Sequence, residues 1–105
     1  MRLSVMERVL LGGMLAEYKG DFLSLKLVRE GREAISFNAE ELKKLDFKQD
    51  GGKVSWIPEA ADEIGEVEIE LNGTITPIIK GLLKQLNDRR QLTENHFSLY
   101  EKFAQ

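Results

Sequence analysis

No cysteine occurs anywhere in the 105 residues of this chain. That single absence excludes disulfides, thiolate metal sites and thiol nucleophiles together. A chain this small without disulfides must hold itself by packing, or by pairing with another copy. The absence also suits a reducing cytoplasm. Histidine is almost missing too, with His96 the single example. A zinc site usually takes several His or Cys ligands. A catalytic histidine would need a nucleophile and an orienting partner, and nothing beside His96 nominates either. The glycine-rich phosphate loops G-x-x-x-x-G-K-[ST] and G-x-G-x-x-G are absent, as is the nucleophile elbow G-x-S-x-G. No apolar run approaches the roughly 18 residues of a membrane span. The opening MRLSVMERVLLGGMLAEYKG has a basic residue and an apolar stretch, but Glu7 and Arg8 interrupt it. No small-residue cleavage site follows, so no signal peptide is expected. An excess of positive charge is lacking as well. The net charge is −3, which opposes the strongly basic footprint of a nucleic-acid binder. These absences together predict a cytoplasmic protein with no membrane segment, no cofactor and no enzymatic activity.

What is present is an ordinary globular composition, 42% apolar and 31% charged. The length fits one small domain spanning 1–105. The chain is organised around ITPIIKGLLKQL, from Ile75 to Leu86. Ile75, Ile78, Ile79, Leu82, Leu83 and Leu86 fall on one helical face, and so wide a stripe must be buried.

Taken in order, Ser4 and Glu7 form a capping box that opens a helix from about Val5 to Glu17. Met6, Val9, Leu10, Gly13 and Met14 share a face, widened by Leu11 and Leu15. Gly12-Gly13 inside this helix suggests that another element packs closely there. Asp21 caps a second helix, from Phe22 to about Ala34. Its core side is read as Leu23, Leu27, Val28 and Gly31, and the short connection makes the two helices a hairpin. Asn38 and Glu41 cap a short helix from Ala39 to about Leu45, with Phe37 and Leu42 as a hydrophobic staple. Alternating residues at 45–49 and 53–57 flank Asp50-Gly51-Gly52 and read as a β-hairpin. Leu45, Phe47, Val54 and Trp56 would face the core. Pro58 ends that strand, and Glu59 to Gly65 reads as an acidic loop. Glu66 to Leu71 alternates strictly and predicts a half-buried strand with Glu66, Glu68 and Glu70 outward. Thr93 caps a final helix that folds back on the central one, with Leu92 and Phe97 as a staple. The predicted fold is α+β and mainly helical. It has two N-terminal helices, a short third helix, a small three-stranded antiparallel sheet and a C-terminal helical hairpin.

Two groups could carry function. Lys43, Lys44, Lys48 and Lys53 lie on the third helix and the hairpin after it, the order found at the end of a winged-helix DNA-binding domain. Glu40, Glu41, Asp46 and Asp50 interleave them and would repel phosphate, so nucleic acid is the disfavoured partner. The acidic residues Glu59 to Glu70 do not match a calcium loop and read as a solvated face. The last helix carries apolar residues on more than one side. Leu99, Tyr100 and Phe103 are therefore the expected interface, since exposed aromatic surface anchors protein contacts.

The pieces Met6-Glu7-Arg8-Val9-Leu10-Leu11, Phe22-Leu23-Ser24-Leu25-Lys26-Leu27-Val28-Arg29 and Asn38-Ala39-Glu40-Glu41 set a whole-chain pattern. So do Val67-Glu68-Ile69-Glu70-Leu71 and, most distinctively, the closing LTENHFSLYEKF. The pattern resembles a family of small uncharacterised bacteriophage and prophage proteins. The resemblance implies a phage or prophage origin and a bacterial cytoplasm, and it implies no activity. With it, the expectation is an interaction module whose partner is a protein. That partner is a second copy forming a homodimer, or a host or virion protein. The alternative is a small winged-helix-like DNA-binding regulator using residues 39–57.

Overall fold

The computed structural model describes residues 1–105. Strand β1 (Arg2–Leu3) leads into α1 (Val5–Ala16), α2 (Phe22–Ile35) and α3 (Ala39–Leu45). The hairpin β2 (Lys48–Asp50) and β3 (Lys53–Ser55), helix α4 (Pro58–Ile64) and strand β4 (Val67–Glu68) come next. Helix α5 (Thr76–Asp88), a 3₁₀ turn (Glu94–His96) and α6 (Phe97–Phe103) complete the chain. The class is α+β and mainly helical.

Local chemistry sets the helix starts. The Ser4 hydroxyl accepts from the Glu7 amide at 3.2 Å and the Ser4 amide donates to Glu7 Oε1 at 2.8 Å. Asp21 Oδ1 accepts from the Ser24 amide at 2.8 Å. Asn38 and Glu41 repeat the reciprocal box at 2.8 and 3.0 Å. Each cap satisfies amides that the helix itself leaves unpaired. Phe37 and Leu42 do not close as a staple in the expected way. Leu42 stays exposed, and the Phe37 ring packs on Phe47 with centroids 5.1 Å apart.

The three-stranded sheet is not formed. The hairpin is a sheet of its own, and β4 pairs with β1 in a second two-stranded sheet. The register sets Arg2 opposite Glu68 and Leu3 opposite Val67. The Ile69 amide donates to the Met1 carbonyl at 2.8 Å, extending the pairing. Regular strand ends at Glu68, short of the expected Leu71, but the side chains keep the predicted sense. Ile69 is buried while Glu66, Glu68 and Glu70 are exposed. The hairpin turns through Gly51 and Gly52, at φ +57° and +83°. Two consecutive positive φ values make the tight turn that matches strand twist. All six strand residues of the hairpin are exposed, so Val54 is not a core residue. Its inner side is the Phe47–Trp56 edge contact, 5.9 Å between centroids. Leu45 is fully buried, though from the end of α3 rather than from a strand.

The acidic loop expected at 59–65 is helix α4. Pro58 does end the strand region, and it also starts the helix. At the first helical position its missing amide costs nothing and its fixed φ suits the turn.

The core cluster draws on β1, α1, α2, α5, α6 and the segment between β4 and α5. Leu3, Leu11, Leu15, Val28, Ile35, Ile69, Ile75, Ile79, Leu83, Leu99 and Phe103 form one cluster. Ile75, Ile79 and Leu83 are its spine. Each such side chain contributes about 1.5–3 kcal/mol when fully buried. The first two helices pack on each other, as do α5 and α6, so both predicted helical hairpins are present. The close approach expected at Gly12-Gly13 lies elsewhere. Gly13 faces open space, and a Cβ on Gly12 would make only ordinary contact with Ile35 at 3.8 Å. A Cβ on Gly31 would collide with Ile75 Cδ1. Gly31 is where α2 must come close.

Candidate functional site

Residues at the last helix sort differently from expectation. Leu99 is 0% exposed and Phe103 6% exposed, both inside the core cluster. They are corrected from interface to core. At i, i+4 spacing the two share one face of α6, the face that packs inward. Tyr100 is half-buried beside Leu92, while Phe97 is 66% exposed instead of serving as a staple. His96 closes its own turn: Nδ1 accepts from the Thr93 amide at 3.0 Å.

The lysines Lys43, Lys44, Lys48 and Lys53 are all exposed. Lys44 approaches Glu63 at 3.9 Å and Lys48 approaches Asp46 at 3.9 Å. The acidic α4 is packed beside α3, so the basic surface sits among carboxylates. No group of three or more His, Asp or Glu side chains is arranged to hold a metal ion.

Two charged residues on α1 are buried, against the usual preference of charge for solvent. Arg8 is 3% exposed, and Glu7 is buried beside it. The Arg8 guanidinium donates to Glu41 through two bonds, Nη1 to Oε2 at 2.8 Å and Nη2 to Oε1 at 3.1 Å. It also donates to the carbonyls of Ile35 at 3.1 Å and Ser36 at 2.7 Å. The Phe37 ring lies beneath it, 4.0 Å from Cζ to centroid. One side chain therefore ties α1 to the end of α2 and the start of α3. The Arg8 bonds outweigh the burial that opposes charge and hold the Glu41 carboxyl below its ordinary range. Sequence reasoning missed Arg8. The spacing Val5, Arg8, Leu11, Leu15 was the available signal, because it places Arg8 in the middle of a buried stripe.

Glu7 anchors a second network. Lys102 Nζ donates to Glu7 Oε1 at 2.8 Å, to Glu66 Oε2 at 2.6 Å and to the Arg2 carbonyl at 2.7 Å. Burial opposes the Glu7 charge, but Lys102, the Ser4 amide and the Ser98 hydroxyl prevail and lower its pKa. Burial likewise opposes the Lys102 charge, and Glu66 and Glu7 overcome it to raise the pKa. Both networks join elements.

The unpartnered surface lies on α2. Every residue from Phe22 to Leu27 is exposed or half-buried. Phe22 is 79% and Leu23 73% exposed. The sequence pattern puts Leu23 on the core side; only Val28, Gly31 and Ile35 of this helix are buried. The run FLSLKL places apolar residues on both flanks, more than one buried stripe can absorb. Phe22 and Leu25 line a groove between the end of α1 and the start of α2. Leu15 and Tyr18 close its other wall, and Lys26, Arg29 and Arg32 rim it along α2. None of the three cations makes an ion pair. No protein-family model matches the chain, and neither a curated protein nor a solved structure matches it.

Proposed function

We propose that this chain is a non-enzymatic protein-interaction module that self-associates through the face of α2 bearing Phe22 and Leu25. The observation that carries it is Phe22, 79% exposed at the mouth of an apolar groove on its own surface. Exposed apolar surface of this kind marks protein contacts, and an aromatic anchor beside a pocket is the usual energetic centre of one. A homodimer is isologous, so a single patch holding both a projecting ring and a groove can serve both copies. Burying one Phe contributes about 1.5–3 kcal/mol, and a symmetric contact buries two. Phe22 supports self-association whether or not the chain has a phage origin. The face replaces Leu99 and Phe103, which the core already occupies.

Light scattering across a concentration series tests it. Wild type is expected to pass from monomer to dimer as concentration rises. Phe22→Lys, which would set a further cation against the cationic rim, is expected to stay monomeric with an unchanged circular dichroism spectrum, because the side chain supports no core contact. A wild-type chain that is monomeric at every concentration overturns the proposal.

A further inference from the structure

We infer that this groove takes an acidic amphipathic helix from a different protein, in competition with the second copy. The inference rests on the reading of the α2 face as a docking surface and adds the chemistry of a partner. Nine residues line the groove, and Lys26, Arg29 and Arg32 are three of them. No carboxylate lines it. The three cations are exposed, and none makes an ion pair anywhere in the chain. That is a local reversal of sign, because the whole chain carries a net charge of −3. A second copy brings the same three cations and no groove carboxylate to meet them. An acidic occupant covers the same apolar floor, Leu15 and Val28, and neutralises the rim as well.

The spacing suits a helix. Lys26, Arg29 and Arg32 recur every three residues, about 4.5 Å apart along the α2 axis. Carboxylates at i, i+3 or i+4 on one flank of a partner helix recur at about 4.5–6 Å, so a single acidic flank meets the row. The α2 wall from Phe22 to Arg32 is about 15 Å long, which about three turns of a partner helix cover. Binding of a helix in a groove is anchored by its apolar stripe, and Phe22 and Leu25 offer that stripe a wall. Exposed ion pairs add less affinity than the apolar contact, but they select the partner and speed its association. The two arginines also add geometry, since a planar guanidinium grips a carboxylate through two bonds. An anionic membrane offers the same charge. Glu30 and Glu33, however, are exposed on the same helix outside the groove. A flat headgroup layer reaching Arg29 and Arg32 would meet both acids, whereas a helix seated in the groove lies to one side of them.

The probe is a designed, fluorescein-labelled helical peptide with a leucine stripe flanked by glutamates. One comparison peptide keeps the stripe and replaces the glutamates by lysines; another keeps the acidic composition and scrambles the stripe. Anisotropy is read with the full chain at a concentration where it is monomeric. The acidic striped peptide is expected to bind at least about ten-fold more tightly than either comparison peptide. Lys26→Glu with Arg29→Glu is expected to weaken it about ten-fold. The same double variant should gain the lysine peptide, a gain that misfolding cannot produce. Phe22→Ala, which leaves every cation in place, is expected to weaken the acidic peptide about ten-fold. Failure of the acidic striped peptide to bind overturns the inference, as does equal binding of the scrambled one. Flotation of the chain with phosphatidylserine vesicles in place of peptide binding overturns it in favour of a membrane surface. Dimerisation without peptide binding defeats this inference and leaves self-association standing. Peptide binding by a chain that is monomeric at every concentration does the reverse.

Discussion

Arg8 shows how one side chain can decide the relation of three helices. Its guanidinium reaches two backbone carbonyls and both oxygens of Glu41, so truncation strands a carboxylate and two acceptors together. Breaking a buried pair by removing one partner costs about 3–5 kcal/mol. Because Glu41 keeps some exposure, Arg8→Ala is expected near the lower end, about 3 kcal/mol in urea unfolding. Arg8→Lys should recover only part of it, since an ammonium cannot reproduce the planar fork. Gly31 offers a second residue-level test. Adding a methyl there meets Ile75 Cδ1 inside a filled core, and overpacking costs about 1–3 kcal/mol. Helix propensity returns up to about 1 kcal/mol, so Gly31→Ala is expected to destabilise modestly. In an Ile75→Val background the colliding atom is gone, and the same substitution should become neutral or stabilising. A cost that is the same in both backgrounds would mean that Ile75 is not the obstacle.

Among the elements, the hairpin stands apart. Its strands contribute nothing to the buried core, and its support is the stack of Phe37, Phe47 and Trp56. Few buried contacts mean a low local opening free energy. Amide exchange at Lys48 and Ser55, a hydrogen-bonded pair of the hairpin, is expected to run much faster than at Ile79 and Leu83 of α5. Equal protection would show that the hairpin opens only with the whole fold. The helices were legible because capping is local: Ser4 with Glu7, Asp21 with Ser24 and Asn38 with Glu41 lie three residues apart. The central stripe from Ile75 to Leu86 was legible because its periodicity is long. Sheet pairing was not. Strand β1 is two residues, too short to show alternation, and its partner lies more than sixty positions away. Helix α4 was hidden because Pro58 stops a strand as well as it starts a helix. The final helix lies where its cap predicts, but Leu99 and Phe103 pack into the core, and sequence alone does not show which of its apolar sides meets the core. Two of the three expected interface residues therefore belong to the core, with Tyr100 half-buried, and Phe22 and Leu23 on α2 are the exposed pair.

At the scale of the whole molecule, the two ionic networks set a pH window. The folded pKa values of Glu7 and Glu41 are lowered. Their contribution is complete above the ordinary glutamate range, about pH 4.3, and is lost as pH falls through the lowered folded values. The folded pKa of Lys102 is raised, so its contribution is complete below the ordinary lysine value of about 10.4 and is lost as pH rises through the raised one. Unfolding monitored by circular dichroism should give a stability plateau between about pH 5 and pH 10. Glu7→Gln is expected to flatten the acid limb in part, leaving the share that belongs to Glu41 and to Asp21, whose carboxyl the Ser24 amide also holds below its ordinary range. No helix is long and apolar enough to cross a membrane.

The meeting of β1 with β4, and of Lys102 with Arg2 and Glu7, also governs when this chain can fold during synthesis. Leu3, Ile69 and Leu99 belong to one cluster. The residues around Leu3 must therefore wait for those around Leu99, which are synthesised much later. Helices α1, α2 and α3 can form early, and Arg8 can clasp Glu41 once residue 41 is free. The N-terminal strand has no partner until Val67 and Glu68 emerge, and the spine of α5 stays uncovered until Leu99 and Phe103 are released. Such long-range closure slows folding relative to a bundle of sequential contacts. During that interval the Ile75–Leu86 stripe faces solvent, where transiently exposed apolar surface invites aggregation. Nascent chains tethered through a C-terminal linker that holds residue 90 at the tunnel mouth should accordingly be protease-sensitive, and chains whose linker brings Ala104 clear of the tunnel should not.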